Sequence, residues 1–151
     1  RRVLFRSANS VLVTFPNVLP VPFESDTQML LGIPAGGRKL TSANNLVINM
    51  KRTGNFNMKV HVLPVYPASV PEENRRWFTI KTFDQDGVSY SESMQDVVIP
   101  LTESLSATDL AAFNAVKNNG LDKVLIEPYR KTSLGNDTAS TIEITKLELR
   151  P

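Results

Sequence analysis

The sequence predicts an all-β domain, an antiparallel β-sandwich with one short helix. Three observations predict it. Most short segments alternate apolar and polar residues, one segment alone spaces its apolar residues as a helix does, and 151 residues at 41% apolar with no cysteine suit a single core without disulfides. No apolar run approaches the ~20 residues of a membrane span. A single histidine leaves no zinc cluster to build.

The opening RRVLFRS, residues 1–7, is the frame translation of AGA CGT GTG CTC TTC CGA TCT, a common short-read sequencing adapter. It is expected to be a scar on a sequence assembled from environmental (metagenome) DNA, leaving residues 8–151 as one β-sandwich domain, truncated from a larger protein. Without its three arginines, seventeen basic residues become fourteen against fifteen acidic ones, a charge of −1 instead of +2. The charge argument for nucleic acid then disappears.

Elements follow in order. Val11 to Phe15 and Thr27 to Ile33 read as strands, with PAGGRK at 34–39 as a turn. From Asn44 to Arg52, Leu46, Ile48 and Met50 alternate against Val47, Asn49 and Lys51. Thr53-Gly54-Asn55 supplies turn residues, and Phe56, Met58, Val60 and Val62 then alternate against Asn57, Lys59 and His61, so the two segments are expected to pair as a hairpin. Pro64 to Pro71 is expected to be a surface loop, because proline cannot donate to a central ladder. Arg76 to Phe83 resumes as a strand, Asp84 to Gly87 turns, and Met94 to Leu101 is another strand that Pro100 ends or confines to an edge.

Ser106 to Asn118 is the helix, capped by Ser106 with Asp109 three residues on, and Leu110, Phe113 and Val116 at helical spacing. Asn118-Asn119-Gly120 ends it. Leu121 to Glu127 and Thr141 to Leu149 are closing strands. The apolar phase changes between Ile144 and Leu147, which predicts a bulge near Thr145 and Lys146. The expected core is Leu46, Ile48, Phe56, Met58, Val60, Ile99, Ile126, Ile142 and Ile144.

The order SMQDVVIPL, short helix, NNGLDKVLIEP, STIEITKLEL resembles the C-terminal half of carbohydrate-binding modules of the galactose-binding-like jelly-roll superfamily. The preceding NNLVINMKRTGNFNMKVHVLP and RRWFTIKTF resemble their middle strands, so the resemblance covers roughly residues 44–150. It implies a jelly-roll sandwich that binds polysaccharide without catalysis, covalently linked to a catalytic domain upstream or downstream, as in agarases and other polysaccharide-degrading enzymes. It also implies an extracellular or periplasmic location. Two departures matter: Met94 stands where the superfamily often has tryptophan, and Thr145 where an I-x-I-D pattern places a calcium-binding aspartate. No cofactor is therefore expected. A structural calcium would have to draw on Glu24, Asp26 and Glu143, which otherwise read as surface carboxylates.

A sugar-binding face needs flat apolar surface for the ring's C–H faces and polar side chains for its hydroxyls. Trp77 is the only tryptophan; with Phe78 and Ile80 in the core, Trp77, Thr79 and Lys81 share the opposite face. Asn49, Lys51, Asn57, Lys59 and His61 line the polar face of the expected hairpin, and Tyr66 and Tyr90 add aromatic surface from loops. The other reading puts Trp77 in the core and leaves these polar residues merely solvated. Three lysines, Lys51, Lys59 and Lys81, favour an anionic glycan.

Catalytic patterns are absent. Any Ser-His-Asp arrangement must use His61, which lies mid-strand with no G-x-S-x-G elbow. A carboxylate pair such as Glu92 with Asp96 has no established separation. PAGGRK lacks the spacing of a phosphate loop, and Arg75-Arg76-Trp77 is a local basic-aromatic cluster too small to outweigh the corrected charge. Nucleic acid and membrane are thus not expected partners. The competing reading from another class is a structural jelly-roll, a virion or appendage protein acting through self-association.

Overall fold

Alternating strands that each bury one face can bury it only by stacking, and this chain stacks two sheets. A computed structural model describes residues 2–7, 10–15, 29–32, 43–53, 57–83, 93–129 and 140–151. In chain order its strands are β1 (Arg2–Ser7), β2 (Ser10–Phe15), β3 (Met29–Gly32), β4 (Asn45–Thr53), β5 (Asn57–Pro64), β6 (Phe78–Phe83), β7 (Gln95–Pro100), β8 (Leu121–Tyr129) and β9 (Ser140–Arg150). The helix α1 (Ala107–Val116) lies between β7 and β8. One sheet has the order β1-β2-β9-β4-β7, the other β3-β8-β5-β6, and the pairings are antiparallel.

The core lies between the sheets. Leu46, Ile48, Met50, Ile99, Ile142 and Ile144 come from the five-stranded sheet; Met58, Val60, Val62, Phe78, Ile80, Val124 and Ile126 come from the four-stranded one. Every expected core residue among the described ones is buried. Phe56 lies outside the described residues, as do Tyr90, Glu92, Glu24 and Asp26.

One expected pairing is overturned. β4 bonds to β7 and β9, and β5 to β6 and β8, so the segments read as a hairpin belong to opposite sheets. Alternation specifies which face each strand buries but not whether two such faces lie side by side or front to front. Front to front, Leu46, Ile48 and Met50 bury against Met58, Val60 and Val62.

The bulge falls where the phase change places it. Asn49 pairs with Lys146 but Met50 with Ile144, leaving Thr145 as the extra residue of β9. Thr145 Oγ1 donates to Asn49 Oδ1 at 2.5 Å, and the re-phasing lets Ile142 and Ile144 on one side and Leu147 and Leu149 on the other all reach the core. β7 is an edge strand and ends at Pro100, as a residue without an N–H requires. Arg2–Ser7, read above as a scar, forms the outermost strand of the five-stranded sheet, paired to β2 alone.

Helix α1 closes the sandwich. Ser106 Oγ accepts from the Asp109 amide at 3.1 Å, satisfying one free donor of the first turn. Phe113 is its buried residue and meets Phe78 edge to face, centroids 5.2 Å apart at 72°. A 3₁₀ turn, Lys117–Asn119, follows, and Gly120 at φ 100°, ψ −179° turns the chain into β8 in a conformation that a Cβ would obstruct.

Candidate functional site

On the outer face of the four-stranded sheet, three adjacent strands bring together one polar cluster. His61 is on β5, the central strand of β8-β5-β6, and its ring is held on both sides. Nδ1 lies 2.8 Å from Thr79 Oγ1 on β6, and Nε2 lies 2.9 Å from Glu127 Oε2 on β8. Both His61 and Glu127 are largely covered, with side chains 14% and 17% exposed. In the tautomer with the proton on Nε2, the ring donates to Glu127 and accepts from the Thr79 hydroxyl at Nδ1. Lys59, two residues before His61, stands opposite Glu127 in the register. Glu127, a residue that sequence reasoning missed, thus bonds His61 and faces Lys59 across the strand pairing. Its signal was the alternation of Glu127 against Val124 and Ile126 in the closing strand.

Trp77 directly precedes β6 in the phase of Thr79, opposite to buried Phe78, and is half-buried. Its approach is fixed. The Tyr66 hydroxyl donates to the Arg76 carbonyl at 3.3 Å and accepts from the Arg76 amide at 3.2 Å. Arg76 pairs with Asp109 of α1, its guanidinium 5.3 Å from the centre of the Phe78 ring, while Arg75 Nε donates to the Val70 carbonyl at 3.1 Å. The basic-aromatic cluster therefore anchors the start of β6, and Tyr66 is spent on the same task.

Two expected members of this face are placed elsewhere. A bulge in β6 pairs His61 with Thr79 but Val60 with Lys81, so Thr82 takes the position opposite Lys59 and the Lys81 ammonium lies 5.7 Å from the Phe83 centroid. Asn57 belongs to the right strand but is fully buried, beneath the surface rather than on it.

Asn49 and Lys51 are on β4 and so belong to the five-stranded sheet. There they join a different network. Asn49 Nδ2 donates to Asp96 Oδ1 at 2.9 Å, Arg150 reaches Asp96 at 3.3 Å and Glu148 at 2.9 Å, and Lys146 Nζ meets Glu148 at 2.6 Å. Lys51 stands opposite Glu143. The hydrogen bond from Lys146, with that from Arg150, holds the Glu148 carboxyl down to about 2, and the Asn49 amide, helped by Arg150, lowers Asp96. These groups are satisfied by one another, which leaves few donors for a ligand.

A hydroxyl, an imidazole and a carboxylate in line suggest nucleophilic chemistry, and Thr79, His61 and Glu127 have that connectivity. Acyl transfer also needs donors aimed at an oxyanion above the hydroxyl. Strand amides point along the sheet plane, not out of it, so the surface of a sheet does not supply them. What the cluster offers is a fixed set of hydrogen-bonding groups. For metals, no group of three His, Cys, Asp or Glu among the described residues is placed to hold an ion, and Glu143 stands opposite a lysine. No helix among the described residues is long and apolar enough to cross a membrane.

No family model and no curated protein matches the sequence. Among solved structures, the carbohydrate-binding module CBM28, described as specific for non-crystalline cellulose, matches with TM-score 0.54. The chain has a jelly-roll fold like that of CBM28. The match covers 99% of this chain and 80% of the module at 12% identity, so the likeness is one of fold, and the module's ligand contacts are not transferred residue by residue.

Proposed function

We propose that this chain is a non-catalytic carbohydrate-binding domain that holds an attached glycoside hydrolase or lyase against its polysaccharide substrate. The observation that carries the reading is the outer face of the four-stranded sheet. There His61, Thr79 and Glu127 are locked together, and the half-buried Trp77 lies two residues before Thr79 in the same strand phase. The indole offers an apolar plane to a pyranose ring. The Thr79 hydroxyl, the Glu127 carboxylate and the Lys59 ammonium offer acceptors and donors to its hydroxyls, while the imidazole, bonded at both nitrogens, holds the first two in place. Because mutual bonds already fix His61, Thr79 and Glu127, binding costs little side-chain entropy at these three groups.

The fold likeness to a module described as cellulose-specific supports a carbohydrate ligand. The sequence resemblance to modules found on agarases supports the attached catalytic domain, and with it an extracellular or periplasmic location. Tethering raises the effective concentration of catalyst at the polymer, which is the benefit such a domain confers. Self-association as a structural jelly-roll has less to support it, because the large apolar side chains exposed among the described residues are Met94 and Val98. A glycan array probed with the purified chain tests the reading. It should retain the chain on one or a few plant or algal polysaccharides. Retention on none, together with self-association in solution, would favour the structural role.

A further inference from the structure

We propose that His61 makes the outer face of the four-stranded sheet respond to pH, so that acid strengthens its hold on polysaccharide carrying anionic groups and leaves its hold on neutral polysaccharide unchanged. The proposal rests on the sheet-face reading and adds to it a ligand class and a regulation.

The responding group is the Thr79 hydroxyl. With Thr79 Oγ1 2.8 Å from Nδ1 and Glu127 Oε2 2.9 Å from Nε2, both nitrogens of the His61 ring are committed. A neutral imidazole carries one N–H and donates to one partner only. In the tautomer with that proton on Nε2, Thr79 spends its hydrogen on Nδ1, and the exposed hydroxyl turns only lone pairs outward. A protonated ring donates from both nitrogens. Thr79 then accepts at Nδ1, and its own hydrogen is released to whatever lies on the sheet. The same oxygen passes from acceptor to donor without moving. A sugar hydroxyl both donates and accepts, so it suits either state, whereas a sulfate or ionised carboxylate only accepts and suits the protonated state alone.

Charge acts in the same direction. The charged groups around the ring are Glu127 on β8, bonded to it, Lys59 on its own strand, opposite Glu127, and Lys123 on β8, opposite Leu63 in the outward phase. β6 presents Thr79 and, opposite Lys59, Thr82, both uncharged, while its Lys81 lies against Phe83. A proton on His61 therefore offsets the Glu127 carboxylate and adds one positive charge beside the two lysines. The ring is only 14% exposed, so solvent screens that charge less than it would a free surface group. His61 is also the only histidine of the chain, and histidine is the side chain whose ordinary charge change falls between about pH 5 and 8.

The test is calorimetric titration of the full chain at about pH 8 and about pH 5, the two ends of that range, with a sulfated galactan and with the same polymer desulfated. Sulfate esters stay ionised at both. Acidification should strengthen binding of the sulfated polymer about tenfold, the scale of one hydrogen bond to a charged group, and leave affinity for the desulfated form unchanged. His61→Gln keeps hydrogen-bonding atoms but cannot take up the proton, so its affinity for the sulfated polymer should not change with pH. Nitrogen NMR of the native chain supplies a readout that needs no variant: Nδ1 should gain its proton over the range in which affinity rises. Equal strengthening of both polymers, a rise that persists in folded His61→Gln, a ring that keeps one protonation state throughout, or no binding of the sulfated polymer at either pH would each overturn the proposal. Polysaccharide binding that depends on Trp77 but shows no response to pH would overturn the proposal and spare the sheet-face reading. A pH response retained in full by Trp77→Ala would do the reverse.

Discussion

Nε2 of His61 and Oε2 of Glu127 lie 2.9 Å apart across two strands of the four-stranded sheet, on its outer face. The two residues are 66 positions apart in sequence, and only the pairing of β5 with β8 brings them together. Glu127→Gln keeps the shape but replaces the carboxylate partner of His61 Nε2 with an amide. It should weaken polysaccharide binding about tenfold, while thermal stability falls by only ~0.5–1.5 kcal/mol. Calorimetric titration alongside thermal denaturation separates the two effects.

Phe113→Ala should destabilise the domain by about 3–5 kcal/mol, since it removes a buried ring and opens a cavity between α1 and Phe78. Urea denaturation measures the loss. A change below 1 kcal/mol would mean that the helix is not packed as described.

Lowering pH should weaken the domain through the network on the five-stranded sheet. Glu148 is depressed from 4.5 to about 2, and Asp96 is depressed from its ordinary value. A carboxyl whose folded pKa is lowered favours folding fully above its unfolded pKa and loses that contribution as pH falls through the folded one. The loss should therefore run from about 4.5 down to about 2. Glu148→Gln should flatten this acid limb while changing little at neutral pH, because both carboxylates are solvent-accessible. Stability measured against pH for the two proteins decides it.

Deleting residues 1–7 should leave the melting temperature nearly unchanged. Arg2–Ser7 is the outermost strand, and its loss leaves every other strand pairing in place. A drop of several degrees, equivalent to ~1 kcal/mol or more in a domain of this size, would instead make it an integral strand.

The parts legible in the sequence were those set by local phase. The bulge at Thr145 could be read because Ile144 and Leu147 cannot otherwise share a face, and α1 because Ser106, Asp109 and Gly120 mark its ends. The pairing of β4 was not legible, since its alternation is the same whether β5 lies beside it or across the core. That one error placed Asn49 and Lys51 on the face of His61, when they lie on the opposite sheet. The misplacement of Lys81 has another source. The bulge in β6 at Ile80 is announced by a phase break of the same kind as that in β9, since Phe78 and Ile80 alternate in one phase and Phe83 in the other, but the reading of the strand extended the first phase to Lys81.

The central claim is that polysaccharide lies on Trp77 and the His61 cluster. Its most direct test is isothermal titration of a polysaccharide retained on the array into the native chain and into Trp77→Ala, with circular dichroism confirming the fold of each. A stacking platform contributes ~1–3 kcal/mol by analogy with bases on aromatic side chains, so affinity should fall roughly five- to hundredfold or more while the spectrum is unchanged. Equal affinity in the two folded proteins would contradict the claim.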